Sequence, residues 1–323
     1  MNVAHIMLEE IVRIHLKQQY ALLLEKGQLP TREKLTEYYA TFRSRFAPEK
    51  LLKLNGEELL NTIHAHGNRD SLVYWLEFKN DEEFPEGFGS IAGGSALKFG
   101  IYRRKETGAW TTGSPTDQKE ISVEDAIEIA RRHRDQLVAG AKLLESLSND
   151  PSDDNYANLQ GAMDSVAPDV SNSAWGHKYF SLLYPDKLDD FHAEEFQRFY
   201  IRKMLQVPPE RDGRYAAAGR YVSAATELKI PINHLTTTLN RSNGRPYKVW
   251  RIGTKIGGTD DIWPVMKDGG CAAIGWPTVG DLSGLADDPE GKDKIRKQLE
   301  AEGSRANIAS GSANQISSFV TGA

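Results

Sequence analysis

Apolar positions that recur every three to four residues predict several amphipathic helices in the first half of the chain. This spacing is typical of a helix that buries one face. Thr31 and Ser122 stand where an N-cap residue is expected, because a hydroxyl group there accepts a hydrogen bond from a free backbone N–H. Helices are therefore predicted at residues 3–26, 31–46, 57–66 and 122–147.

Shorter apolar runs predict strands. Residues 72–78, 96–102 and 110–112 are rich in aromatic and β-branched side chains. Together they predict an antiparallel sheet set against the N-terminal helices. Two further runs, at 249–252 and 271–276, are bounded by glycine or proline and predict strands near the end of the chain.

The part of the chain between these two groups of strands has a helical pattern over residues 155–239. The polar, turn-rich stretch 148–154 before it predicts a domain boundary. The predicted fold class is α+β. It comprises a mixed helix and antiparallel-sheet domain at residues 1–150, a helical region at 151–240, and a β-rich domain at 246–323.

Composition narrows the class of protein. The chain has 323 residues, of which 39% are hydrophobic and 26% charged, as is usual for a globular protein. No apolar run approaches the roughly 20 residues of a membrane span, so no membrane association is expected. Cys271 is the single cysteine, which excludes an intrachain disulfide and any multi-cysteine metal site. We expect a cytoplasmic protein with no bound metal or cofactor.

An aromatic segment near the end of the chain carries the most informative chemistry. Three of the six tryptophans, Trp250, Trp263 and Trp276, lie within it, among glycine turns and short predicted strands. Aromatic side chains around the mouth of a small barrel suit a flat ring that is held by stacking. Asp281 and Ser283 follow the second strand and are candidates to hydrogen-bond the edge of such a ring.

This segment resembles the start of an EVE domain, a PUA-like β-barrel, and in particular the EVE domains of McrB-type modification-dependent restriction ATPases. The resemblance lies in VWRIGT (249–254), Trp263 and GCAAIGWPTVGDLS (270–283). Members of that superfamily accept a flipped, modified base in an aromatic pocket. The resemblance therefore implies a partial PUA-like barrel, DNA with methylated or hydroxymethylated cytosine as the partner, and base stacking by Trp263 or Trp276.

Two other parts of the chain resemble the same McrB-type proteins. They include YWLEFK (74–79), GGSALKFGIY (93–102) and a pattern in the helical region that is made of Trp175, His177, Lys178, Tyr179, Leu182, Pro185, Asp186, Phe191 and His192. The resemblance implies an ATPase motor and a nuclease subunit as partners. The chain departs from the family because it contains no P-loop motor, and we expect its EVE domain to be shortened.

A basic stretch precedes the aromatic segment. Residues 241–258 contain no acidic side chain. The side chains expected to contact DNA phosphates are Arg245, Lys248, Arg251 and Lys255. A solvated linker guarded by basic residues is the alternative interpretation of this stretch.

Three further motifs allow other functions. Glu77 and Lys79 form an E-x-K pair that would share one face of a strand, as in metal-dependent nucleases, although Asp70 is poorly placed as a second acid. Residues 89–95 are glycine-rich but lack the ending of a phosphate-binding P-loop. His177 and His192 have no matching nucleophile and are interpreted as core residues. The leading hypothesis is a non-catalytic DNA-targeting module, and the alternatives are a nuclease that uses Glu77 and Lys79 or a protein-interaction module.

Overall fold

The computed structural model describes residues 7–83, 87–114, 116–246, 255–256, 260–269, 276, 279–280, 282 and 289–322. The chain divides into two compact units, Met1–Pro246 and Tyr247–Ala323. We call them the N-terminal unit and the C-terminal unit. The three-part division expected from the sequence stays a prediction.

The N-terminal unit is predominantly helical. Hydroxyl groups cap several of its helices as expected, since Thr31 accepts from the Lys34 N–H and Ser122 from the Asp125 N–H. The helices are α1 (Glu10–Glu25), α2 (Arg32–Phe46), α3 (Pro48–Leu51), α4 (Gly56–His64), α5 (Leu72–Tyr74), α6 (Asn80–Glu83), α7 (Val123–Ser146), α8 (Asp153–Val166), α9 (Pro168–Ser171), α10 (Ala174–Leu183), α11 (Glu194–Lys203), α12 (Arg214–Leu228) and α13 (Ile232–Asn243).

A small antiparallel sheet completes this unit. Among the described residues it has three strands in the order β1 (Ile101–Arg103), β2 (Trp110–Ser114) and β3 (Asp117–Ile121). Ile101 pairs with Thr112, and Trp110 pairs with Ile121. The predicted α+β class and the strand at 110–112 are therefore confirmed.

The strand predicted at residues 72–78 is wrong, because this segment is helical. Ser71 caps α5 by accepting a hydrogen bond from the Tyr74 N–H, and a π-helical turn at Trp75–Lys79 leads from α5 into α6. The strand predicted at 96–102 is only partly correct, since a 3-10 helix at Ala96–Phe99 precedes β1. Both segments are short apolar runs, for which periodicity does not separate a buried helix from a buried strand.

Two hydrophobic cores hold the N-terminal unit together. The larger core combines aromatic side chains of α2, the π-helical turn and α10, such as Phe42, Trp75 and Tyr179, and draws on residues from both sides of position 150. The smaller core joins α1 to α11, α12 and α13 through residues such as Leu16, Tyr200 and Leu235.

The C-terminal unit is described in part. It contains the strand pair β4 (Lys255–Ile256) and β5 (Asp260–Asp261), followed by α14 (Trp263–Asp268), α15 (Pro289–Ala301) and α16 (Ala306–Gly322). Ile295 and Ile316 lie in the core of the helix pair α15–α16. A PUA-like barrel is not shown by the described residues. The strand predicted at 249–252, and all of the strand predicted at 271–276 except Trp276, lie outside them.

Among the described residues, no helix is both long enough and apolar enough to cross a lipid bilayer.

Candidate functional site

A cluster of buried and partly buried charged and polar side chains lies in the N-terminal unit, around the contact between α10 and the π-helical turn. It brings together residues of the stretches 75–81 and 177–192 with residues 98 and 233. We call it the buried polar cluster, and its members are Glu77, Asp81, Lys98, His177, Lys178, Asp190, His192 and Asn233.

Lys98 is the best satisfied charge of this cluster. Its Nζ atom donates to Glu77 Oε1 at 2.5 Å, to the Ile91 carbonyl at 2.6 Å and to the Gly93 carbonyl at 2.9 Å. An ammonium group has three donors, so each of them has an acceptor. The second Glu77 oxygen, Oε2, lies 3.4 Å from His66 Nε2. Burial opposes ionisation of Glu77, but the nearby His66 ring and the hydrogen bond from Lys98 outweigh it and lower the pKa of its carboxyl group.

These contacts show what the glycine-rich stretch at 89–95 does. Carbonyl groups from this stretch face the Lys98 ammonium, whereas a phosphate site needs N–H groups directed at the ligand. The loop therefore binds the Lys98 side chain through its carbonyl groups. Gly89 lets this loop pass close to the backbone of Asp190. Its φ is +64°, and an added Cβ would lie 2.1 Å from the Asp190 carbonyl oxygen, so only glycine fits here.

Lys178 is the least satisfied charge. Its side chain is fully buried, and its Nζ atom has no hydrogen-bond partner within the described part of the chain. Lys178 Nζ forms an ion pair with Asp81 Oδ1 at 3.8 Å. Burial lowers the pKa of Lys178 to about 8, although Asp81 and Asp190 act in the opposite direction.

Two neighbouring carboxyl groups lie in the turn after α10. Asp190 Oδ2 accepts from Asn233 at 2.9 Å and from Thr236 at 3.2 Å, and burial raises the pKa of Asp190 to about 6. Asp189 accepts from the Phe191 N–H and from Gln197, and burial raises its pKa to about 8. Both are buried beneath the helices rather than presented to a ligand.

His177 and His192 form a buried pair, as the core interpretation predicted. Their Nδ1 atoms lie 3.0 Å apart, and His192 Nε2 lies 2.7 Å from the Phe88 carbonyl. The contact with a carbonyl requires a proton on His192 Nε2, so His192 Nδ1 accepts and His177 Nδ1 donates. Burial lowers the pKa of His177 to about 3 and that of His192 well below its usual range. Both rings are therefore neutral at pH 7.

The E-x-K pair is not assembled as a strand would assemble it. Because residues 75–79 are helical, the two side chains diverge. Lys79 Nζ lies 4.4 Å from the centre of the Trp75 ring and 4.0 Å from Glu83, while Glu77 faces Lys98 and His66. The geometric premise for a nuclease pair is therefore absent. The described residues also contain no group of three metal-ligating side chains.

The buried polar cluster thus joins separate stretches of the chain but presents no open reaction centre. Its charges face one another or backbone carbonyls of the same unit, and the Lys98 and Asn233 side chains anchor the loop through Ile91, Gly93 and Gly87. This arrangement can hold the glycine-rich loop in place. Sequence reasoning missed Lys98 and Asp190; the GGS run before the 3-10 helix and the Asp-Asp pair at 189–190 are the signals that mark them.

The C-terminal unit presents one of the predicted base-binding residues. Trp263 begins α14 and is 52% exposed, next to β5, where Asp261 accepts a hydrogen bond from the Trp263 N–H at 3.0 Å. Trp276 differs, because it packs partly buried against the core of the α15–α16 pair. The structure therefore separates the two tryptophans into a surface residue and a packing residue.

The remaining predicted contacts are only partly described. Arg245 follows α13 at the end of the N-terminal unit and is exposed. Lys255 lies in β4, and its side chain is outside the description. Lys248, Arg251, Asp281 and Ser283 lie outside the described residues.

Comparison of the chain with protein-family models, with curated proteins and with solved structures gave no match. The interpretation of its function therefore depends on the residues described above and on the sequence motifs.

Proposed function

We propose that this chain is a DNA-targeting module of a prokaryotic restriction or defence ATPase. It binds DNA through its C-terminal aromatic segment, accepts a flipped modified cytosine there, and directs a motor and a nuclease that other polypeptides supply. The observation that supports this proposal most directly is the exposure of Trp263.

An exposed tryptophan calls for an explanation, because its large apolar ring is normally buried. Trp263 keeps about half of its surface exposed, and Val265 beside it on α14 is also exposed. Stacking of a base on an aromatic ring contributes roughly 1–3 kcal/mol, which is comparable to the few kcal/mol that flipping a base costs. Stacking of the base on the exposed Trp263 ring can therefore offset the free-energy cost of flipping that base out of the duplex.

Basic stretches of the sequence also favour DNA. Residues 241–258 are basic and free of acids. In the N-terminal unit, the last turn of α11 carries Arg202 and Lys203, both of which are exposed. Basic side chains attract the DNA backbone, and this contribution weakens steeply with salt. In this proposal the Arg245, Lys248, Arg251 and Lys255 side chains contact phosphates, and Asp281 and Ser283 bind the base edge.

A binding titration with matched duplexes tests the proposal. The full chain is titrated with DNA carrying cytosine, 5-methylcytosine or 5-hydroxymethylcytosine, at two salt concentrations. We expect tighter binding to one of the modified duplexes, and this preference persists at the higher salt. Trp263→Ala should reduce the preference by about tenfold or more, since it removes 1–3 kcal/mol of stacking, while binding to unmodified DNA changes little.

Two control variants sharpen this experiment. Trp263→Phe keeps an aromatic face and should retain most of the preference, and Val265→Ala changes an exposed apolar side chain of the same helix without removing a ring. Trp276→Ala is expected to lower the stability of the C-terminal unit, because Trp276 packs on its core. Equal binding of all three duplexes by the wild-type chain would refute the base-reading proposal.

A further inference from the structure

Helix α1 carries apolar side chains on two opposite faces. Its inner face, with Val12, Leu16 and Leu23, is buried in the smaller core of the N-terminal unit. Its outer face carries Ile11 and Ile14, which are 69% and 50% exposed. A surface helix normally places polar residues on the face opposite its core stripe, so the outer face of α1 departs from the rule.

The exposed residues form a continuous stripe. Ile11, Ile14, Gln18 and Leu22 follow one another at spacings of three and four, so they line one side of the helix at 100° per residue. We call these four residues the outer stripe. Leu24 is also exposed at its edge, and Met7 just before the helix adds a further exposed apolar side chain. Spacings of four and three are those of the seam between two packed helices.

Such a stripe is expected to be covered by another surface, because large contiguous apolar patches on proteins mark interaction sites. The charges beside it indicate which surface. Glu10 and Lys17 are seven residues apart, both exposed, and lie along the same edge of the outer stripe. One edge of the seam therefore carries an acid toward its N-terminal end and a base toward its middle.

This arrangement is self-complementary in only one orientation. In an antiparallel pair of identical helices each edge faces the same edge of its partner, so Glu10 of one chain lies opposite Lys17 of the other, twice. In a parallel pair this edge would face the opposite edge, where His15 and Gln19 lie, and the two ion pairs would not form. Interfaces related by a two-fold axis are also the commonest in homo-oligomers.

We propose that the outer stripe of α1 is a self-association surface, on which two copies of this chain pair through antiparallel α1 helices. The pairing buries Ile11, Ile14 and Leu22 of both copies, and two Glu10–Lys17 ion pairs fix its direction. The helix has only 16 residues, so we expect a dissociation constant on the order of micromolar. This inference does not depend on DNA binding.

Sedimentation equilibrium of the full chain, from about 1 to 200 µM, tests the pairing. We expect a monomer–dimer equilibrium for the wild-type chain. Ile14→Glu and Ile11→Glu should each weaken association by at least tenfold, because a charge would be buried at the seam. Val207→Glu is the matched control, since it also charges an exposed apolar residue of the N-terminal unit but lies outside α1, and it should leave association unchanged. Circular dichroism checks that each variant is folded.

Charge reversal tests the direction of pairing. Glu10→Lys and Lys17→Glu should each weaken association by roughly three- to tenfold at low salt, because each creates two like-charge contacts. The double variant Glu10→Lys/Lys17→Glu should restore it. A wild-type chain that stays monomeric at 200 µM, or dimers that Ile14→Glu and Ile11→Glu leave intact, would overturn the proposal. Failure of the double variant to recover would overturn the antiparallel arrangement.

Discussion

At the scale of single residues, one partly exposed lysine and one fully buried lysine of the N-terminal unit show two surroundings for an ammonium group. Lys98 donates to one carboxylate and two carbonyls, so each of its three donors has an acceptor. Lys178 has carboxylates near it but no hydrogen-bond acceptor among the described residues, and burial lowers its pKa to about 8. The two side chains therefore differ both in burial and in the number of acceptors that their ammonium groups find.

The Lys98 contacts lead to a prediction about Glu77. Glu77→Gln replaces the carboxylate partner of Lys98 by a neutral amide, whose oxygen can still accept a hydrogen bond but no longer balances the ammonium charge. Because breaking a buried pair costs about 3–5 kcal/mol and the Lys98 side chain is partly exposed, we expect a loss of about 2–3 kcal/mol in the free energy of unfolding. Urea denaturation measures this loss, and hydrogen exchange should show reduced protection of the loop after Glu77.

Lys79→Gln is the control for this substitution. Lys79 is partly exposed and contacts the Trp75 ring and Glu83, so its replacement should cost less than about 1 kcal/mol. The comparison also tests the nuclease alternative. That alternative requires magnesium-dependent nicking of DNA by the wild-type chain, abolished by both substitutions; we expect none, and such nicking would contradict a structural role for Glu77.

Four of the buried histidines have strongly lowered pKa values, and they predict how stability depends on pH. They are His64, His133, His177 and His192. Burial lowers the pKa of His133 to about 4 and that of His177 to about 3, and lowers the other two well below the usual range. In the unfolded chain each has a pKa of about 6.5. As the pH falls below 6.5 the unfolded state therefore binds more protons, and the free energy of unfolding falls by up to about 1.4 kcal/mol per pH unit for each histidine.

Asp189 and Asp190 have the opposite effect on the free energy of unfolding, which they raise as the pH falls. Burial raises their pKa values to about 8 and about 6, so the folded state binds their protons more readily as the pH falls through these values. Two such groups do not outweigh four histidines, and we expect a net loss of stability between pH 6.5 and pH 5. Urea denaturation at several pH values measures the slope. His177→Gln should reduce it, whereas His15→Gln, at an exposed position of α1, should not; an unchanged slope in His177→Gln would contradict the assignment.

At the scale of elements, the sequence predicted the long helices of the N-terminal unit better than its short apolar runs. The helix predicted at 122–147 is α7, with the expected Ser122 cap, because periodicity and capping signals agree over many turns. Residues 72–79 carry apolar or aromatic side chains at nearly every position and are buried on several sides. A run of this kind has no amphipathic period, so tertiary packing decides between helix and strand.

Some features of the candidate site were likewise predictable from the sequence, and others were not. The core role of His177 and His192 was predictable, since no nucleophile accompanied them. The convergence of Glu77, Lys98 and Asp190 was not, because it depends on a loop that is bonded to Asn233 of α13 and on a helical conformation at 75–79. For Trp263 and Trp276 the motif marked both residues equally, and only packing against α15 and α16 distinguishes one from the other.

At the scale of the whole molecule, the features with proposed functions lie in different units. The outer stripe of α1 belongs to the N-terminal unit, and Trp263 belongs to the C-terminal unit. Each unit has a hydrophobic core of its own. Compact units with separate cores are often able to fold independently, so self-association and base recognition should be separable by dividing the chain.

A chain that ends after Pro246 tests this separation. It retains α1, both cores of the N-terminal unit and the buried polar cluster, but loses the aromatic segment. We expect it to fold, to show the acid sensitivity of the full chain, and to self-associate with a dissociation constant within about threefold of the full-chain value. It should also lose any preference for modified DNA, since Trp263 is absent, while salt-sensitive binding through Arg202 and Arg245 remains. Preference for modified DNA in this shortened chain would place the base-reading site in the N-terminal unit, and loss of self-association would show that α1 alone does not form the interface.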